Sequence, residues 1–176
     1  PYTGGDDVDF GPLVTKQARD RVLGLVNSGV EQGAKLVVDG RDFKLQGYEN
    51  GNFIGGCLFD NVTRDMDIYT QEIFGPVLSV ATFKDYEEAI EIANTTNFGL
   101  GAGVWSRQQN ICYRAGRDIQ AGRVWVNHYH DYPAHSAFGG YKESGLGREN
   151  HLMMLGHYQE TKNMLVSYSD APAGLF

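Results

Sequence analysis

The chain has 176 residues, 41% of them hydrophobic, which is enough for one domain with its own core. Fifteen Lys and Arg against 22 Asp and Glu leave a formal charge of −7 with no basic cluster, and this excludes a protein built to bind nucleic-acid phosphates. No apolar run approaches the roughly 20 residues of a membrane span, and "PYTGGDDVDFGP" lacks the basic start and apolar core of a signal peptide.

The elements follow in chain order. Thr15 is placed to cap a helix over 15–32 that carries Ala18, Val22, Leu25 and Val26 at helical spacing, and "AKLVVD" after Gly33 reads as a strand. "VLSVATF" is a β-branched buried strand. Asp85 and Glu88 form a capping-box pattern ahead of Ala89, Ile92 and Ala93, and Asn97 to Gly99 stop that helix. "GLGAGVWS" is the next strand, Ile111, Ala115 and Ile119 mark a helix, "GRVWVN" a strand, "GRENHLMMLGHY" a last helix and "NMLVSYS" a terminal strand. Strand and helix alternate, which predicts an α/β fold with a largely parallel sheet and flanking helices.

Few residues offer chemistry by themselves. The glycines of "FGLGAGVWS" fall at 99, 101 and 103 with Ser106 next in turn, so no dinucleotide fingerprint is present, and no GxxxxGK loop occurs. Cys57 and Cys112 are too far apart for a CxxC pair, too few for a disulfide framework and set in apolar contexts; they read as inert thiols in a reducing compartment, the cytoplasm. His128, His130 and His135 with Asp131 can be drawn as a metal site, but their aromatic neighbours account for them without one, and no metal is expected.

"QEIFGPV" (71–77) has two readings. In one, Thr70 caps a single helical turn, Glu72 is an acid favoured near its start, Phe74 plugs the core, and Gly75-Pro76 ends the turn. In the other, the Glu72 carboxylate accepts from a vicinal diol while the Phe74 ring packs on a flat heteroaromatic, the two groups of a nicotinamide riboside.

Taken together with "GLGAGVWS", "AGRVWVN" and "FGGYKESGLGRE", this stretch resembles the closing portion of the aldehyde dehydrogenase superfamily over essentially the whole chain. The first half, with "FGPLVTKQARDRV" and "DMDIY", is more similar to the methylmalonate-semialdehyde dehydrogenase branch; from "VATFKDYEEA" onward the chain is more similar to bacterial acetaldehyde and general aldehyde dehydrogenases. The resemblance implies NAD or NADP as cofactor, with Glu72 on the nicotinamide ribose and Phe74 beside the ring. It implies a small aldehyde as substrate, in a tunnel lined by Tyr132 and Phe138, with His128 supplying bulk at a tunnel-side position. The glycine-dense "FGGYKESGLGRE" holds Lys142 and Arg148, which could be drawn as anion binders but read as structural, fixing the loop between the tunnel and the last helix. The resemblance also implies that the catalytic cysteine, its oxyanion-stabilising Asn, the base and the dinucleotide domain would precede residue 1. No catalytic residue is therefore expected among these 176, and the chain by itself is expected to be inactive.

On the same grounds residues 1–162 are expected to be the C-terminal part of the catalytic domain, and 163–176 a strand that joins subunits into a homo-oligomer. Three functions remain open: part of a hydrolytic aldehyde dehydrogenase, part of a coenzyme-A-acylating relative, or a noncatalytic assembly module.

Overall fold

The computed structural model describes residues 9–172 and 174. Thr15 Oγ1 accepts from the Ala18 amide at 3.1 Å and starts α1 (Lys16–Glu31), whose buried face is Val22, Leu25, Val26 and Gly29. The chain then enters β1 (Lys35–Val38), which runs antiparallel to β2 (Cys57–Asp60) with Lys35 opposite Asp60. A single helical turn, α2 (Asp67–Thr70), separates β2 from β3 (Val77–Ser79), and these two strands are parallel. The core lies between α1 and this sheet: Val22, Val26 and Phe59 are fully buried, and Ile54, Ile68 and Ile73 close around them. Burying each such side chain contributes about 1.5–3 kcal/mol.

Asp85 Oδ1 accepts from the Glu88 amide at 2.9 Å and opens α3 (Tyr86–Thr95); the Glu88 carboxylate reaches back to the Lys84 amide at 2.7 Å. Then come β4 (Phe98–Gly99), β5 (Gly101–Val104), α4 (Gln109–Asp118), β6 (Arg123–Val126), β7 (Tyr141–Lys142), a 3₁₀ turn (Leu152–Met154) and α5 (Leu155–Tyr158). β5 and β6 pair in parallel with Val104 opposite Val126, while β4 and β7 form a short antiparallel pair.

The α/β expectation holds, with the strands divided among a three-stranded sheet and two two-stranded ones. Parallel pairs alternate with antiparallel ones, so the layers are more mixed than the alternation of elements predicts. The helix expected over 147–158 is shortened to a 3₁₀ turn and one α-helical turn, because Asn150 (φ 57°) and His151 (φ 55°) are left-handed and cannot continue a right-handed helix. The strand expected in "NMLVSYS" is not formed within the chain: residues 159–172 carry no regular structure, and Met164, Leu165 and Tyr168 stand exposed. A strand exists only when a neighbour supplies its ladder, and among the described residues none does.

Candidate functional site

The turn after α2 is built to display two side chains. Thr70 is the last residue of α2, with Oγ1 donating to the Met66 carbonyl at 3.3 Å, so it closes the helical turn and does not cap its start. Ile73 is buried and anchors the turn in the core. From α1, Arg21 donates through Nη2 to the Glu72 carbonyl at 2.6 Å and through Nη1 to the Ile73 carbonyl at 2.9 Å. Gly75 sits so close to α1 that a Cβ there would lie 2.8 Å from Val22 Cγ2.

Between these fixed points Phe74 has φ 57° and is 78% exposed. A left-handed conformation costs a bulky residue about 1 kcal/mol or more. Phe74 recovers none of it by packing, so it is not a core plug. Glu72 is also exposed and forms no ion pair among the described residues. Its side borders a cleft of about 460 Å³ shared with Thr96, Gly101 and Ser144.

A second loop rises from the end of β6. Asn127 (φ 56°) clips it to the β5 side by accepting from the Ser106 amide at 2.9 Å and donating to the Ser106 carbonyl at 3.1 Å. Pro133 opens a turn closed by the Ser136 amide at 3.0 Å. Phe138 exchanges backbone hydrogen bonds with Glu149 at 2.9 and 2.6 Å. Where the loop returns, Gly122 lies so tightly against Gly139 that no Cβ fits at Gly122. Within the loop the rings meet edge to face: Trp125 and Tyr132 at 5.4 Å, His130 and Tyr132 at 4.9 Å, Tyr132 and Phe138 at 5.0 Å between centroids.

Tyr132 and Phe138 are thus brought into contact, and Glu72 and Phe74 share one turn. His128 stands exposed just past Asn127 and pairs with no other ring among the described residues. The cleft beside Glu72 and a second of about 540 Å³ beside Phe138 share Leu100 and Ser144, so Glu72 and Phe138 border adjoining space.

Other side chains take structural duties. Lys142 Nζ donates to the Asn94 and Thr96 carbonyls at 2.7 and 2.9 Å, and Arg148 Nη1 to those of Gly140 and Gly147 at 3.0 and 2.8 Å. Both thiols are buried: Cys57 Sγ accepts from the Gly40 amide at 3.3 Å, and Cys112 Sγ donates to the Ser106 carbonyl at 3.6 Å. Among the described residues no group of three or more His, Cys, Asp or Glu gathers to hold a metal.

Sequence reasoning missed the two arginines that hold these loops, Arg21 and Arg123. Arg123 carried a usable signal. In a strand whose residues alternate between faces it shares the inward side with Trp125, and a charged residue at a buried position must find partners.

The family model described as "Aldehyde dehydrogenase family" matches residues 3–164. The EPTC-inducible aldehyde dehydrogenase of Rhodococcus erythropolis is 54% identical over 176 residues, covering 98% of this chain and 35% of that protein. A protein of Sinorhizobium meliloti 1021 described as a methylmalonate-semialdehyde dehydrogenase, crystallised with NAD, is 51% identical with a TM-score of 0.81 over 86% of this chain and 31% of its own. The betaine aldehyde dehydrogenase of Staphylococcus aureus in complex with NAD+ is 30% identical with a TM-score of 0.90, over 98% of this chain and 34% of its own. The chain spans about a third of the length of the relatives it matches. With the fold, the order of its motifs and the family model in agreement over nearly its whole length, the chain belongs to the aldehyde dehydrogenase family.

Proposed function

We propose that this chain is the part of an NAD(P)-dependent aldehyde dehydrogenase that grips the nicotinamide riboside and walls the aldehyde channel, in an enzyme that converts a small aldehyde to the carboxylic acid. The observation that carries this reading is Phe74, an aromatic ring held exposed in a left-handed conformation beside an exposed carboxylate. A fold stores such strain where a ligand uses it. The residues fit the cofactor: the two oxygens of Glu72 can accept from both hydroxyls of a ribose, and the Phe74 face is open to a flat ring. When bound, the nicotinamide supplies the hydride acceptor. Glu72 and Phe74 restrict where its ring can lie, which raises the fraction of encounters in reacting geometry.

Phe138 borders the adjoining cleft and Tyr132 packs edge to face on it; this pair is assigned to the wall of the aldehyde channel, with the bulk of His128 on the same loop favouring a small aldehyde. The nucleophilic thiol is assigned to another part of the enzyme, because Cys57 and Cys112 are both buried and each is hydrogen-bonded to backbone groups. Residues 1–162 act as part of the catalytic domain. Residues 163–176 act as a strand donated to a neighbouring copy, a role supported by the large apolar side chains Met164, Leu165, Val166 and Tyr168 that stand exposed in its described part. The free thiols fit work in the cytoplasm.

In the full-length enzyme carrying this chain, Glu72→Gln and Phe74→Ala should each raise the KM for NAD(P) or slow hydride transfer about tenfold, with an unchanged circular dichroism spectrum. Unchanged cofactor kinetics in both variants would remove the turn from the site. The assay is run with and without coenzyme A: acid formed in its absence supports hydrolysis, and an absolute requirement for it moves the enzyme to the acylating class.

A further inference from the structure

The loop 127–138 has no regular secondary structure, yet it must keep Tyr132 and Phe138 at a fixed spacing. Arg123 is the group that reaches across it. Its side chain enters from β6, only 9% exposed, and donates through Nη1 to the Asp131 carbonyl at 2.9 Å. Through Nη2 it donates to the carbonyls of Ser136 and Ala137 at 3.1 and 2.9 Å. The same guanidinium lies 5.5 Å from the ring centres of both Tyr132 and Phe138 and 5.8 Å from that of Trp125. Trp125 Nε1 adds a bond to the Asp131 carbonyl at 2.9 Å.

No carboxylate pairs with Arg123 among the described residues, so this buried charge is balanced by three carbonyl dipoles and three ring faces, all belonging to β6 and the loop it holds. A buried cation is tolerated only when its donors are met, so these contacts are as binding on the loop as on the arginine. Only a planar fork can serve carbonyls on both sides of the 133–136 turn at once.

We infer that Arg123 is a positioning residue which, through this loop, sets the width of the aldehyde channel and so which chain lengths the enzyme accepts. The inference rests on the proposed function, since it takes Tyr132 and Phe138 as channel walls.

The test compares full-length wild type, Arg123→Lys and Arg123→Gln on straight-chain aldehydes from two to eight carbons, with the KM for NAD(P) measured alongside. Arg123→Lys keeps the charge and loses the fork. It should raise the KM of the preferred aldehyde about tenfold and flatten the chain-length profile, while the KM for NAD(P) stays within about twofold. A profile that keeps its shape, or aldehyde and cofactor KM values that rise together, overturns the inference. Should Arg123→Gln fail to fold, the lysine variant decides alone. Combined with Phe138→Ala, Arg123→Lys should add less than its separate effect, because both act on one wall; full additivity counts against the inference. If Tyr132→Ala and Phe138→Ala leave every aldehyde KM unchanged, the channel assignment itself fails. If they change it and Arg123→Lys does not, only the role of Arg123 falls.

Discussion

Arg21 and Glu72 are joined by a 2.6 Å hydrogen bond from the guanidinium to the main-chain carbonyl, across 51 residues of sequence. The carboxylate is left out of the contact. An arginine beside a glutamate would ordinarily take the side chain; here it takes the backbone of Glu72 and Ile73 and so fixes the turn without occupying the acid. Arg21→Lys replaces the fork by a single point charge. In the full-length protein it should raise the KM for NAD(P) several-fold while costing only about 1 kcal/mol of stability, as an exposed hydrogen bond does. Cofactor titration together with a melting curve checks both halves.

Gly75→Ala should be the more damaging change at this turn. The added methyl meets Val22 Cγ2 at 2.8 Å and Cγ1 at 2.9 Å, and Val22 is fully buried and cannot step aside. Overpacking of this kind costs about 1–3 kcal/mol. A lowered Tm is expected, with loss of nicotinamide-dependent protection against unfolding.

Purified as it stands, the chain should form no NADH from a small aldehyde. Cys57 and Cys112 are buried and bonded to backbone groups, which leaves neither as an accessible thiolate. Sustained NADH production that disappears in Cys57→Ser or Cys112→Ser would contradict this.

Asp39 gives an acid-side prediction. Arg41 donates to its carboxylate through Nε at 2.9 Å and Nη2 at 2.6 Å, and these bonds hold its pKa at about 2. A depressed carboxylate pKa contributes stability that is present above the ordinary value of 3.8 and is lost as pH falls through about 2. A carbon-13 NMR titration should show Asp39 ionised at pH 3, and its midpoint should rise toward the ordinary value in Arg41→Gln.

Deleting Asn163 to Phe176 from the full-length protein should lower the mass measured by light scattering while leaving the circular dichroism of the remainder intact. A truncated protein that keeps the parent's oligomeric state would remove this segment from assembly.

Much of the fold could be read ahead because local chemistry matched the final structure. Thr15 and Asp85 cap the helices they were expected to cap, and "GAGV" and "RVWV" form parallel strands. β2 went unread because "CLFD" is four residues long and follows Gly55-Gly56, too short to show a period; its place is set by pairing with β1 and β3. The helix over 147–158 was overread because its apolar spacing hides two left-handed residues, a backbone property that side-chain periodicity does not carry. At the site, Glu72 borders a cleft and Tyr132 packs edge to face on Phe138, and the roles the family resemblance implies for them belong to the proposed function. Phe74 showed only in the structure that its exposure is enforced. Arg21 and Arg123 went unread for a common reason: both bind carbonyl oxygens, which every residue has, so no motif marks their partners, although the alternation of β6 sets Arg123 on the inward side.

The contact between Gly122 and Gly139 bears on how such a pocket can diversify. With no room for a methyl at Gly122, the spacing between the strand and the returning loop is set by bare main chain. Side chains along 128–138 that Arg123 does not touch can then be exchanged without changing how far apart the main chains stand at this contact. On the proposed function, a lineage trades one aldehyde for another by altering side chains of this loop that Arg123 does not touch, such as His128, while Gly122 keeps the main chains at this spacing. Variants selected for new substrates should accumulate along 128–138, with glycine retained at 122.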